Sequence, residues 1–398
     1  MKILFLISSL QNGGAERAMS NITTHLPEGV EADILLNAVS DNDYPTNANI
    51  ISLGMPPVVK KSYLYQIKAM LKRIPKLYQL KKSKSYDACI SFMDSANICN
   101  ILTRNKHCKT IVSVRVKLAQ DKTFTYQYIV KTLVKLLYNK ADRVVAVSEG
   151  IKKELIEDLA IKASKVVTIT NGYDMESIHK QMTQPTDLVK SLNLKNKFVF
   201  ATSGRYSHQK GQWHLIRAFR EVAKKCPDAI LLLMGQGKDK EYLQDIIEQN
   251  NLQKQVILLP YQKNPFAILK YCKVFVMPSL FEGYCNALCE ALVCGIPCIA
   301  TDFQSSAREI LAPNTDCDYQ IQSGIEKSLY GIITPVCSGT RYKGPEALEE
   351  SEVYLSEAMI EMYNDKELLK HYSECALLRG KELIIESKVQ EWIKVTER

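Results

Sequence analysis

VFVMPSLFEGYCNALCEALVCGIP, residues 274–297, is the stretch on which the reading of this chain turns. VFVMP is a short, almost wholly apolar run, the pattern of a strand buried on both faces. SLFEGY has the composition of a loop, and NALCEALVC that of a short helix stopped by Gly295 and Pro297. Two carboxylates stand in these small and apolar surroundings. Glu282 falls at the carboxyl end of the strand and Glu290 on the helix that follows. Taken alone, such a pair is an acid near a helix N-terminus and one solvated acid. Their neighbours decide otherwise.

The same strand–helix alternation extends over the whole chain. KILFLISS, ADILLN, ACISFM, TIVSV, RVVAVS and KVVTIT punctuate the first half, and FVFATS, AILLLMG, QVILLP, KVFVMP, PCIAT and YGIITP the second. Alternating strands and helices predict an α/β protein with parallel sheets. With 398 residues the chain is too long for one ordinary core, so two domains are expected. The patterning places them at 1–178 and 197–375, joined by a strand-poor connection at 179–196 and followed by a helical segment at 376–398. Ligands of open α/β sheets bind beyond the carboxyl ends of the strands, which makes the cleft between two such domains the expected site.

Composition narrows the class. The chain is 46% hydrophobic and 24% charged, as a folded protein is. Its twelve cysteines are scattered through apolar runs with no CxxC pair, the usage of reduced core residues. Cys285, Cys289, Cys294 and Cys298 cluster in sequence but fall on a loop, a helix and a strand start, so no metal is expected there. MKILFLISSL reads as a first strand rather than a leader, and no run reaches the roughly 18 apolar residues of a spanning helix. The expectation is a cytoplasmic protein.

The net charge of +9 is unevenly spread. Residues 1–180 hold 26 Lys and Arg against 16 Asp and Glu, whereas the remaining 218 hold 26 against 27. Residues 58–86 alone carry nine basic residues and no acid: Lys60, Lys61, Lys68, Lys72, Arg73, Lys76, Lys81, Lys82 and Lys84. Leu64, Ile67, Met70 or Leu71, Ile74 and Tyr78 recur there at helical spacing, which predicts a basic amphipathic helix around Pro75. Its plain reading is a docked helix with a solvated basic face. Its functional reading is contact with anionic lipid headgroups or a pyrophosphate-bearing acceptor, through Lys68, Lys72 and Lys76. No RNA-binding module accompanies these residues, and nucleic acid is not an expected partner.

Several loops carry phosphate chemistry. In QNGGAER (11–17), Gly13 and Gly14 let the backbone approach a ligand beside a helix start. FVFATSGRYSHQKGQWHLIRAF (198–219) brings Gly204, Arg205 and Lys210 to the end of a strand, where the two cations suit a diphosphate. Gly235, at another strand end, and Tyr261 with Gln262 before a further helix, suit a nucleobase. DND (41–43) and DCD (316–318) match the D-x-D pattern used for manganese elsewhere, but neither lies in that structural context.

Together these residues resemble the family 4 retaining glycosyltransferases of the GT-B fold, with two facing Rossmann-like domains and an interdomain cleft. The likeness runs along nearly the whole chain: GGAER, ADRVVAVSEGIKKEL (141–155), TNGYD (170–174), GRYSHQKG (204–211), YQKNP (261–265) and ATDFQSSAREIL (300–311). Glu282 and Glu290 form its E-x7-E element. The resemblance implies that Arg205 and Lys210 bind the donor diphosphate and steady the leaving group, acting with Glu282 at the catalytic centre. Glu282 would meet the hydroxyls of the transferred sugar and Glu290 those of the ribose. Gly283, Tyr284, Cys285, Asn286 and Ala287, at a helix N-terminus, would border the donor, and Gly13 and Gly14 would close the site from the other domain.

The donor would be a nucleotide-diphosphate sugar, a UDP-hexose or UDP-N-acetylhexosamine, with neither cofactor nor metal required. The acceptor would be a surface polysaccharide or lipid-linked glycan, met at an anionic inner-membrane surface by a peripheral enzyme. Two departures stand out. Many relatives carry a histidine where VSVRVKL places Arg115, which would instead contact acceptor or donor, and SSAREIL replaces a common SGPREIL. A phosphorylase or epimerase on the same architecture, and a non-catalytic sugar-nucleotide scaffold, are the competing readings.

Overall fold

A computed structural model describes residues 1–11, 13–41, 43–56, 63–118, 125–304 and 306–397. Lys60 and Lys61 of the basic stretch lie outside the described residues. The chain forms two compact units, Met1–Gly172 with Ile385–Arg398, and Tyr173–Ile384.

The first unit is built on strands β1 (Lys2–Leu6), β2 (Glu31–Leu36), β3 (Asn49–Ser52), β4 (Ala88–Phe92), β5 (Lys109–Val114), β6 (Arg143–Ala146) and β7 (Val166–Thr168). They pair in parallel in the order β3-β2-β1-β4-β5-β6-β7. Successive side chains alternate across the sheet. Ile3, Phe5 and Ile90 enter a core with α1 (Gly14–Thr24) and the C-terminal helix Ile385–Thr396, while Leu4, Leu6 and Cys89 enter another with α2 (Tyr63–Ser83) and α3 (Asp94–Leu102). Burial on both faces explains why these strands read as unbroken apolar runs.

In α2 the face that docks only partly follows the apolar periodicity: Met70 and Ile74 pack against the core, but other members of the periodic set do not. Ala69, Arg73, Leu77 and Leu80 are buried, and Ile67, Leu71 and Tyr78 are exposed. The reason is polar. Arg73 donates to Asn37 Oδ1 (2.9 Å), Ser95 Oγ (3.1 Å) and Ser8 Oγ (2.8 Å), so its guanidinium is satisfied inside the unit. Lys81 likewise donates to Asn100 Oδ1 at 2.7 Å. Two of the nine basic residues are therefore internal anchors. Lys68 and Lys72 are exposed, and Lys76 is half-buried.

The second unit contains β8 (Phe198–Ser203), β9 (Ala229–Met234), β10 (Val256–Leu259), β11 (Val274–Met277), β12 (Cys298–Thr301), β13 (Glu326–Lys327) and β14 (Ile332–Thr334). Their order is β10-β9-β8-β11-β12-β14-β13, parallel except for β13 against β14. From β8 the chain builds outward to β9 and β10, then returns to lay β11 on the other side of β8. That reversal opens a crevice at the carboxyl ends of β8 and β11. The loops carrying Lys210 and Glu282 leave from those two ends.

Two boundaries differ from those read in the sequence. The stretch expected as a linker, 179–196, lies within the second unit, where Asn264 Nδ2 donates to Gln181 O (3.0 Å) and Gln184 Oε1 (2.9 Å). The C-terminal piece of the first unit begins at Ile385 rather than at 376. Its Trp392 is buried 5.4 Å from the ring of Phe92, filling one side of the first sheet.

Candidate functional site

The described residues of the second unit bring Lys210 and Glu282 into direct contact. Lys210 ends a single 3-10 turn, His208–Lys210, between β8 and the helix Gln212–Lys225. Glu282 stands in the loop between β11 and the helix Asn286–Val293. Lys210 Nζ lies 2.5 Å from Glu282 Oε1, with only 18% and 9% of the two side chains exposed. Ser279 Oγ donates to the same carboxylate at 2.9 Å and Gln209 Nε2 at 3.2 Å. Burial by itself would lower the Lys210 pKa, but the facing Glu282 carboxylate outweighs it and leaves the ammonium raised. Lys210 is thus a fixed positive charge at neutral pH.

Glycine lets these loops approach closely. A Cβ on Gly235 would stand 2.0 Å from the Gly204 carbonyl oxygen, and one on Gly204 would press on the Lys210 chain at 3.1 Å. Arg205, next to Gly204, is exposed, and its charge acts on Lys210 through space. Tyr261 is half exposed, and Gln262 Nε2 turns back to Pro260 O at 2.8 Å.

Past Glu282, Gly283 and Tyr284 lead to Cys285 at the N-cap of the Glu290 helix, which starts at Asn286 and Ala287. Glu290 is 7% exposed, in that helix's second turn. The Cys285 thiol is buried, which pushes its pKa up and leaves a neutral thiol at the anion-favouring end of the helix. Tyr173, of the TNGYD segment, donates its hydroxyl to Asn286 Oδ1 at 2.7 Å.

Gln209, Ser279 and Tyr173 are site residues that the sequence reading did not single out. Gln209 was legible as the neighbour of Lys210, and Ser279 as a serine three residues before Glu282. Tyr173 stood within the TNGYD motif, with no role of its own attached to it. Removing its hydroxyl should disturb the helix start without emptying the core, because the ring remains. Tyr173→Phe is expected to lower kcat/KM about tenfold, the worth of roughly one hydrogen bond to a positioned group; initial rates across donor concentrations would measure it.

The remaining expected residues lie in the first unit. Gly13 caps the N-terminus of α1 and Gly14 begins it. Arg115 follows β5, is 8% exposed, donates to Asn171 Oδ1 and lies 4.8 Å from the centroid of Phe92. Arg115 thereby holds Asn171 of the TNGYD segment. Among the described residues, Asp316, Cys317 and Asp318 gather at the surface and His214, Cys337 and Glu349 form a second, largely buried group, and neither includes Lys210 or Glu282.

Two parallel α/β sheets with charged loops at a strand-order reversal define a nucleotide-binding class of enzyme. The comparisons specify which. Residues 12–177 match the family described as Glycosyltransferase Family 4, and residues 184–326 that described as Glycosyl transferases group 1. An uncharacterized glycosyltransferase of Methanocaldococcus jannaschii is 33% identical over 335 residues, covering 81% of this chain and 82% of the relative. The chain belongs to the family 4 glycosyltransferases and is a transferase enzyme of the GT-B fold.

Campylobacter jejuni N-acetylgalactosamine-N,N'-diacetylbacillosaminyl-diphospho-undecaprenol 4-alpha-N-acetylgalactosaminyltransferase is 28% identical over 322 residues, 78% of this chain and 83% of its own. Among solved structures, Anabaena HepE in complex with UDP and glucose matches with a TM-score of 0.75 at 18% identity, over 99% of this chain and 98% of that one.

Proposed function

We propose that this enzyme is a retaining transferase that moves a hexose or N-acetylhexosamine from a UDP-linked donor to a lipid-linked glycan or surface polysaccharide, as a peripheral protein of an anionic membrane. The observation that carries the reading is the buried Lys210–Glu282 pair at the β8/β11 crevice, beside the start of the Glu290 helix. Relatives named for transfer to diphosphoundecaprenol-linked sugars, in Campylobacter jejuni and Escherichia coli, support the acceptor class.

The chemistry follows from charge placement. Negative charge grows on the leaving diphosphate as the glycosidic bond breaks, and Lys210 with Arg205 would meet it from positions already ordered. Glu282 would accept hydrogen bonds from the sugar hydroxyls and Glu290 from the ribose. Gly204, Gly235, Tyr261, Gln262 and the 283–287 turn would border the nucleotide. In a retaining transfer the acceptor hydroxyl attacks on the face the diphosphate leaves, and the leaving phosphate takes its proton. Two cationic side chains supply the charge that other transferases draw from a metal, so no metal is needed.

The test uses purified protein, a diphospholipid-linked sugar acceptor and a panel of UDP-, GDP- and ADP-sugars, with the product anomer read by NMR. UDP-dependent transfer with retention, unchanged by EDTA, is expected. Turnover with only GDP- or ADP-sugars would overturn the donor assignment, an inverted anomer the mechanism, and loss with EDTA the metal-free reading.

A further inference from the structure

The turn that carries Lys210 is held from a loop far along the chain. His208 opens that turn, and its Nε2 meets the Gly339 carbonyl oxygen at 2.9 Å. A carbonyl only accepts, so His208 donates from Nε2. The His208 ring lies 5.2 Å from that of Trp213, whose Nε1 donates to Thr340 O at 2.9 Å. Two successive carbonyls of one loop are thus bound by two rings that flank Lys210 in sequence.

Gly339 also borders the other half of the site. Its φ is +77°, in the left-handed region that strains a residue with a side chain. A Cβ there would stand 2.9 Å from Leu280 Cδ1 and 3.4 Å from His208 Cε1. Leu280 lies two residues before Glu282, and its backbone N–H donates to Gln209 O at 2.9 Å. Gly339 therefore sits where the Lys210 turn and the Glu282 loop come together.

Residues 335–349 run between β14 and the helix Glu350–Asn364 with no regular structure of their own. Unstructured loops of such length are uncommon inside compact domains and are usually functional when ordered. This one is pinned on both sides of Gly339. Ser338 donates to Glu349 from its backbone N–H at 2.8 Å and from its hydroxyl at 2.6 Å. Burial would raise the Glu349 pKa, but the Ser338 and Ser351 donors outweigh it and bring it down to about 2, so the anchor stays charged. On the other side, Arg341 pairs with Asp239 at 2.8 Å and lies over the rings of Tyr242 and Trp213 at 4.7 and 5.6 Å.

We propose that His208 is a positioning residue for Lys210, held in place by the pinned 338–341 segment, and that the pair sets where the ammonium meets the leaving diphosphate. His208 acts through the turn it shares with Lys210. The assignment rests on the diphosphate role of Lys210 given above and adds the element that fixes that lysine.

Steady-state rates with UDP-sugar, calorimetric titration with UDP and thermal unfolding test it on His208→Ala, His208→Gln and Gly339→Ala, beside Lys210→Ala. His208 is exposed, so its loss should leave the unfolding midpoint within about 2 °C. His208→Ala should lower kcat about tenfold, the worth of one hydrogen bond to a positioned group, with KM moving less than about threefold. Charge on the diphosphate grows toward the transition state, so a displaced ammonium costs most there. His208→Gln can donate to the same carbonyl and should recover most of the rate. Gly339→Ala, which keeps His208 but strains its acceptor, should fall with His208→Ala.

Unchanged kcat in both His208→Ala and Gly339→Ala overturns the assignment. An equal loss in His208→Gln overturns the donor role, and a loss that merely tracks a large fall in the unfolding midpoint makes His208 a residue of folding alone. Normal UDP affinity and turnover in Lys210→Ala would remove the diphosphate role itself, and this assignment with it. Loss in Lys210→Ala beside unaffected His208 and Gly339 variants overturns the positioning role and leaves the diphosphate role standing.

Discussion

Glu282→Gln is expected to tighten the binding of UDP itself three- to tenfold while lowering turnover by at least about a hundredfold. The opposite signs follow from the resting site. Lys210 is held 2.5 Å from the Glu282 carboxylate, so a diphosphate must compete with that carboxylate for the same ammonium. The carboxylate also repels an incoming anion. Glutamine removes both effects and keeps the hydrogen-bonding shape toward Ser279, so the product nucleotide should bind better.

Turnover should still fall, because a neutral amide accepts weaker hydrogen bonds from a sugar hydroxyl than a carboxylate does. Lys210→Ala gives the contrast, losing UDP affinity and turnover together, the latter by about a thousandfold. Calorimetric titration with UDP beside steady-state rates separates the cases. Weaker UDP binding in Glu282→Gln would show that the carboxylate does not compete for Lys210.

Glu352→Ala is expected to destabilise the second unit by about 3–5 kcal/mol, the cost of leaving a buried charge without its partner. Glu352 is fully buried. Its carboxylate accepts from Arg217 Nε at 2.8 Å, from Arg217 Nη2 at 3.1 Å and from the Glu349 backbone N–H at 3.1 Å, and it contacts His214 Nδ1 at 2.8 Å. The backbone contact belongs to the capping box that starts the helix Glu350–Asn364.

Alanine would strip Arg217 of its counter-charge and uncap that helix in one step. Arg217 also donates to Lys343 O and Ala347 O, both at 2.6 Å, so the loop before the helix should loosen with it. Thermal unfolding should show a fall of about 10 °C. Glu352→Gln, which keeps an acceptor, should fall less.

How much of this was legible differs by kind of interaction. Each of the twelve apolar runs read as strands holds one, because parallel strands buried on both faces leave an unbroken signature. The exceptions are β3 and β13. β3 is four residues at a sheet edge with Ile50 partly exposed, and β13 is Glu326–Lys327, two polar residues recruited by pairing with β14. Neither carries enough apolar sequence to register.

In the site, Glu282 and Lys210 were legible because strand ends and loop charges are local features. The hydrogen bond from Gln209 to Glu282 spans 73 residues and that from Tyr173 to Asn286 spans 113, and no periodicity reports such pairings. The face of α2 was only partly legible for a related cause. Hydrophobic spacing treats Arg73 as surface, whereas three distant side chains supply the acceptors that let it be buried.

The discontinuity of the first unit bears on the order in which a nascent chain can finish folding. Its sheet is made within residues 1–172, yet the helix that brings Trp392 to Phe92 is made only after the whole second unit. Through synthesis of the whole second unit, one side of the first sheet waits with that part of its apolar face uncovered. The second unit, continuous from Tyr173 to Ile384, can complete its own core in the interval. Quality control would therefore see the earlier-made half as the later one to mature.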